Sequence, residues 1–163
     1  MLRITALISC VLGSLVTTSS RAQEASPDWI AQQQLPRWVQ PLLADSTFRA
    51  RYSIDLGMNP FVVQGDFDRD QRRDVAIWVR ERTSGKAGIA VIRQARRTPE
   101  VIGAGVDPLG IGADDFSRMD IWRVEPAGKQ SSAGDVLYVE KSESGSGVIR
   151  WDGRQYRWTQ LGD

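Results

Sequence analysis

From about residue 60 the sequence alternates apolar and polar residues in short runs closed by turn formers, a pattern that fits antiparallel strands and little else. Phe61-Val62-Val63 follows the Asn59-Pro60 break. Asp74–Arg80 sets Val75, Ile77 and Val79 on one side and Ala76, Trp78 and Arg80 on the other. Ala87–Arg93 repeats the pattern through Ile89 and Val91, and Thr83-Ser84-Gly85-Lys86 between them makes the pair a hairpin. A second group follows at Met119–Glu125, Asp135–Lys141, Val148–Trp151 and Arg154–Gln160. In its last hairpin Asp152-Gly153 reads as a two-residue turn, pairing Trp151 with Arg154, Arg150 with Gln155 and Ile149 with Tyr156. Ile149, Trp151, Arg154, Tyr156 and Trp158 then share one face, with Val148, Arg150, Gln155 and Arg157 on the other. That division reads as core packing with a solvated reverse, in preference to a sugar-binding aromatic platform.

Ahead of the strands the periodicity is helical. Ser26-Pro27-Asp28 opens a helix, with a capping hydroxyl, proline at the first position and an acid at the positive end of the dipole. Pro36 and Pro41 lack a backbone N–H, so residues 27–45 divide into two short helices. Trp38, Leu42 and Leu43 would pack them on the main body. The expected fold is therefore mainly β (β-rich α+β): a single antiparallel sheet or half-barrel of about 6–7 strands with a short N-terminal helical arm. Residues 23–59 form the arm and linker, residues 60–163 the β body, and the two make one folding unit. Trp78 and Trp122 are expected inside, or at the seam with the arm.

Residues 1–22 read as a cleaved signal peptide. Arg3 starts a mostly apolar run, Ile4–Val16, and Ser20-Arg21-Ala22 places small residues for a cut before Gln23. Export to the periplasm or the exterior is the expected localisation. Leu7-Ile8-Ser9-Cys10 has the form of a lipid-attachment site but stands too early in the apolar run. Cleavage would remove Arg3 and Arg21, taking 21 basic residues to 19 against 20 acidic ones, a net charge of −1. A near-neutral chain has no general electrostatic attraction for nucleic acid, and Arg93-Gln94-Ala95-Arg96-Arg97 reads as a solvated loop between strands. No apolar run reaches the length of a membrane-spanning helix. The expected oligomeric state is monomeric.

Histidine is absent and Cys10 is the only cysteine, which excludes serine–histidine and cysteine–histidine catalysis and zinc sites built on imidazole or thiolate. Carboxylates remain. Asp66, Asp68, Asp70 and Asp74 occupy positions 1, 3, 5 and 9 of one short segment, and the Arg72 carbonyl at position 7 can join them. Calcium takes six to eight hard oxygen ligands in irregular geometry, which suits such a cluster. Ile77 stands where an EF-hand has its bidentate glutamate, and the flanks are strands. The neighbouring Arg69, Arg72 and Arg73 offer a second way to balance the charge, giving a metal-free salt-bridged turn. A catalytic carboxylate cluster is a third reading.

Gly65-Asp66-Phe67-Asp68-Arg69-Asp70 followed by Arg73-Asp74-Val75-Ala76 resembles the calcium loop of FG-GAP or VCBS-type repeats, in which a strand leads into Asp-x-Asp-x-Asp-Gly-x-x-Asp and a second strand leaves it. The resemblance covers roughly residues 61–80 in a single copy, so a closed propeller is not implied. It implies calcium as cofactor, held by Asp66, Asp68, Asp70, Arg72 and Asp74. Gln71 replaces the family's glycine, a substitution costing roughly 1 kcal/mol where a left-handed residue is required. The chain from Gln23 onward, with Asp114-Asp115-Phe116, Glu140-Lys141-Ser142-Glu143-Ser144 and the closing Trp151–Trp158 segment, also resembles exported bacterial proteins of uncharacterised function that carry one such loop.

The Gly103–Ser117 stretch lacks phosphate-loop spacing and is a candidate binding rim, while Ser142–Gly147 reads as a hydrophilic loop. Three functions follow. The leading one is a non-enzymatic binding or structural module of the cell envelope, calcium-stiffened, with a protein or glycan partner. The second is a glycosidase-like hydrolase using a pair from Asp114, Asp115, Asp120 and Glu143. The third is an inhibitor or immunity-type protein partner.

Overall fold

The computed structural model describes residues 33–128 and 134–162. The leader at residues 1–22 and the helix opening at Ser26-Pro27-Asp28 lie outside the described residues. Among the described residues two short helices stand directly ahead of the strands, α1 (Gln40–Leu43) and α2 (Ser46–Arg51). Pro41 stands in the first turn of α1, where its missing N–H is harmless. Asp45 caps α2, its carboxylate accepting from Thr47 N–H at 2.9 Å and Phe48 N–H at 3.2 Å.

Among the described residues nine strands follow in two antiparallel sheets, not in one sheet of six or seven. The first sheet contains β1 (Tyr52–Ile54), β2 (Val62–Gly65), β3 (Asp74–Glu81), β4 (Ala87–Ile92) and β5 (Pro99–Gly103). The second is a meander of β6 (Ile121–Glu125), β7 (Val136–Lys141), β8 (Gly145–Trp151) and β9 (Tyr156–Gly162). Alternation reports which residues share a face but not which sheet a face packs against, so the division was hidden. β1 and β5 also escaped notice. β1 is three residues long and lies within the stretch read as arm and linker, and β5 opens on Pro-Glu.

β1 and β2 share one edge of β3, Ile54 opposite Val79 and Val62 opposite Ile77. Between those registers Trp78 N–H donates to the Phe61 carbonyl at 2.8 Å and the Trp78 carbonyl accepts from Asp55 N–H at 3.0 Å. The ladder along β3 is thus continuous although its partner strand is interrupted. The β3–β4 hairpin has the expected turn, with Arg80 opposite Ala87. The β8–β9 hairpin differs in register. Trp151 pairs with Tyr156, Arg150 with Arg157 and Ile149 with Trp158. Asp152 closes a four-residue turn, its Oδ1 accepting from Arg154 N–H at 2.8 Å and Gln155 N–H at 2.9 Å. That aspartate turn wins over the tight Asp-Gly turn and places Arg154 in the connection. The shift is by two residues, an even number, so Ile149, Trp151, Tyr156 and Trp158 still share a face.

β3 and β4 are covered on both faces, which makes three layers. One face carries Val75, Ile77, Val79, Ala90 and Ile92 beneath Leu35, Val39 and Leu43, with Trp38 and Leu42 partly buried alongside. The other carries Ala76, Trp78, Ile89 and Val91 against Trp122, Leu137, Val139, Ile149 and Tyr156 of the second sheet. Trp78 and Trp122 are inside as expected, but their seam is the one between the sheets, with ring centroids 5.3 Å apart. The Trp122 indole N–H donates to the Pro60 carbonyl at 2.5 Å. The Gly103–Ser117 stretch is part of the crossover between the sheets. Phe116 plugs the core, its N–H donating to the Ala87 carbonyl at 2.8 Å.

Candidate metal centre

The β2–β3 connection carries the aspartate cluster at the far end of β4 from that crossover. β2 delivers Gly65 opposite Asp74, so the two ends of the loop begin side by side. Phe67 turns into the core between the sheets, 2 % exposed, and anchors the loop between Asp66 and Asp68. Asp66 closes the turn, accepting from Asp70 N–H through Oδ1 at 3.0 Å and Gln71 N–H through Oδ2 at 2.9 Å. Arg69 and Gln71 take positive φ, 62° and 66°, to make the bend.

Carboxylate oxygens of Asp66, Asp68 and Asp74 lie within 4.8 Å of one another. Asp70 stands outside this group of three carboxylates. Asp70 Oδ1 accepts from Arg72 N–H at 2.8 Å and its Oδ2 lies 3.8 Å from Arg72 Nε, a local turn at the surface. Of the three arginines in the loop, Arg72 alone makes an ion pair among the described residues, and it pairs with Asp70. The charge facing the triad comes from elsewhere. Arg93, just beyond β4, brings Nη1 to 3.8 Å from Asp68 Oδ2 and pairs through Nη2 with Glu100 of β5. Its guanidinium lies over the Trp151 ring at 3.7 Å from the centroid. Arg93 is 4 % exposed, so its expected place in a solvated loop is overturned. It belongs to the face of Ile89 and Val91, and alternation carries it inward.

Asp74 is fully buried. Its Oδ2 accepts from Phe67 N–H at 3.0 Å and its Oδ1 from Gln94 N–H at 2.8 Å. Burial pushes its pKa up to about 6; the Gln94 and Phe67 bonds oppose the shift, and the Asp68 and Asp70 charges add to it. Asp68 is also raised, by burial first and then by Asp70, with Arg93 pulling the other way. Three buried polar atoms around Arg93 have no hydrogen-bond partner among the described residues: Asp68 Oδ1, Arg93 Nε and the Tyr156 hydroxyl. Burial and the Glu100 charge hold that phenol above its ordinary pKa.

The second sheet reaches the loop through Gly134 and Asp135. Asp135 Oδ2 accepts from Asp66 N–H at 2.9 Å, its Oδ1 accepts from Ala127 N–H at 2.9 Å, and its own N–H donates to the Asp66 carbonyl at 2.7 Å. A Cβ on Gly134 would sit 2.5 Å from the carbonyl oxygens of Asp66 and Phe67, so only glycine permits this approach. Sequence reasoning missed Arg93, Glu100, Gly134 and Asp135. A groove beside the loop, lined by Phe67, Asp68, Arg69, Trp151 and Asp152, opens toward the β8–β9 turn.

The orphaned Asp68 Oδ1 supplies a fit test for a cation. Its side chain is 11 % exposed and its neighbours leave one buried oxygen unsatisfied, a costly state for a carboxylate. Asp66 and Asp74 oxygens each accept one N–H and retain a lone pair. The donor set is all oxygen, the kind a hard cation takes.

Three of the four carboxylates considered for hydrolysis hold local partners. Asp114 pairs with Lys86. Burial raises Asp115, but bonds from Ser117 and Ala87 outweigh it and leave its pKa lowered. Lys141 and then Ser142 hold Asp120 at about 2. Glu143 stands in the β7–β8 turn with a φ of 60°.

No protein-family model matches the chain, and no curated protein or solved structure compared with it is similar.

Proposed function

We propose that this protein is a non-enzymatic binding or structural module, exported to the cell envelope, whose aspartate loop is stiffened by a calcium ion. Asp66, Asp68 and Asp74 hold the ion, and a protein or glycan is the partner. The observation that carries the reading is the buried, unsatisfied Asp68 Oδ1 among three converging carboxylates. The bound ion supplies positive charge to a cluster whose burial already disfavours its anionic form. Loop stiffening matters because the loop joins the two sheets through Asp135. A hydrolase is less well supported, because Asp114 pairs with Lys86 and both Asp115 and Asp120 have lowered pKa values, which suits neither to the acid role.

Thermal unfolding of the full chain in EDTA and in millimolar calcium tests this. A ligand that binds only the folded state raises Tm, by about 1.4 kcal/mol of stability at a tenfold excess over Kd. Calcium should raise Tm in the wild type and leave Asp68→Ala unmoved. An unmoved wild type would remove calcium from the proposal and leave the loop as a metal-free clasp.

A further inference from the structure

We propose that Arg93 is a built-in competitor for the cation: a tethered positive charge that holds the loop in its metal-free form and keeps metal affinity weak. The inference rests on the metal reading above and adds how the site is regulated. A guanidinium is permanently charged, so Arg93 cannot leave the contest by losing a proton. It is 4 % exposed and fixed on three sides, by the Trp151 ring at 3.7 Å, by Glu100, and by Asp68 at 3.8 Å. Asp68 is the shared element. One of its oxygens faces Arg93, and the other is buried without a partner.

Two opposed effects follow from that geometry. In the absence of metal, Arg93 balances part of the charge of three buried or half-buried carboxylates, which the loop's own arginines do not do. When a dication takes Asp68, like charges are brought close together in a dry setting where screening by salt is weak. The ion must therefore bind against Arg93, and only the surplus appears as affinity. Glu100 sets the balance, because it draws the guanidinium toward β5 and shares its charge. A site weakened in this way belongs with those responding to calcium at about 10⁻⁴–10⁻³ M, the range of extracellular modules.

Terbium, a luminescent stand-in for calcium excited through nearby indoles, gives the readout, with calcium used to displace it. Arg93→Met keeps an apolar stem against Trp151 and removes the charge; it should bind terbium about tenfold more tightly than the wild type. Glu100→Gln removes the other counter-charge and should bind several-fold more weakly. A bracing role for the Arg93–Glu100 pair would instead loosen the loop in both variants and weaken both. Wild-type binding with Arg93→Met equal or weaker overturns the proposal and leaves the metal site standing. Should Arg93→Met not fold, Arg93→Gln takes its place with the same expectation, and binding equal to or weaker than the wild type overturns the proposal. Absence of terbium binding in the wild type and both variants removes the metal reading itself, and this inference with it.

Discussion

Gln71 concentrates the conflict in the aspartate loop at one residue. Its φ of 66° lies in the left-handed region, where a side chain crowds the following carbonyl, and its side chain is exposed. What the loop uses is its N–H, which donates to Asp66 Oδ2 at 2.9 Å. Glycine would keep that bond and relieve the crowding, although it gives the unfolded chain more freedom. Gln71→Gly should therefore raise stability by about 1 kcal/mol, read as a higher urea midpoint at unchanged slope. A lower midpoint would mean that the side chain contributes something its exposure does not reveal. A left-handed residue at this position was expected only through the loop's resemblance to calcium-loop repeats, and Gln71 adopts that conformation. The residues that complete the site were legible only in part, and for a definite reason. Asp74 lies in frame with Ala76 and Trp78, Arg93 with Ile89 and Val91, and Asp135 with Leu137 and Val139. Each extends an inward-facing row by one step beyond its apolar members. A charged residue at the end of such a row ordinarily reads as the place where the strand meets water. Here three rows end at one point and bury Asp74 and Arg93 there, and convergence of distant strand ends has no signature in a single stretch of sequence.

At the scale of elements, turns and faces were read more reliably than pairings. The β3–β4 hairpin followed from Thr83–Lys86 because its connection is local. The β8–β9 register missed by two because Asp152 accepts two N–H groups and draws Arg154 and Gln155 into the turn. Its inward face survived, and the packing of that face imposes a further requirement. Gly147 lies beside a bulge in β8, and a Cβ there would overlap the indole of Trp158. Trp158 packs against the core between the sheets, and the absent side chain makes room for it. Gly147→Ala should displace that ring and destabilise the protein by roughly 1–3 kcal/mol, the ordinary range for overpacking. The comparison that isolates the cause is Gly147→Ala combined with Trp158→Leu. If the overlap is responsible, the double variant loses less than the two single losses added together, because a smaller side chain vacates the space. Simple additivity would place the strain in the bulge backbone instead.

For the whole molecule, the two sheets share the core built around Trp78 and Trp122, and the Asp66–Asp135 bonds tie them together at one end. That end contains the carboxylates whose pKa values are raised. Asp74 has its pKa raised to about 6 by burial, and Asp68 is raised in the same sense. Between the unfolded value and about 6 the folded state therefore holds more protons than the unfolded one. Their contribution to stability is fully present below the unfolded pKa and is lost as pH rises through 6. Asp120 and Asp152 act in the opposite direction. Lys141 holds the first at about 2; Gln155 N–H and then Arg157 hold the second at about 2. Their contribution is present above the unfolded pKa and disappears as pH falls toward 2. In EDTA the two trends cross, so the metal-free protein should be most stable near pH 4–5, and its urea midpoint should fall from pH 5 to pH 7. A midpoint that rises over that interval would contradict the raised Asp74. Calcium should change this profile, because a dication favours the charged carboxylates and so holds them ionised in the folded state at neutral pH. With calcium in millimolar excess, the loss between pH 5 and 7 should flatten or reverse in the wild type. In Asp68→Ala it should persist, since that variant keeps the buried Asp74 but lacks the carboxylate that Arg93 and the cation compete for.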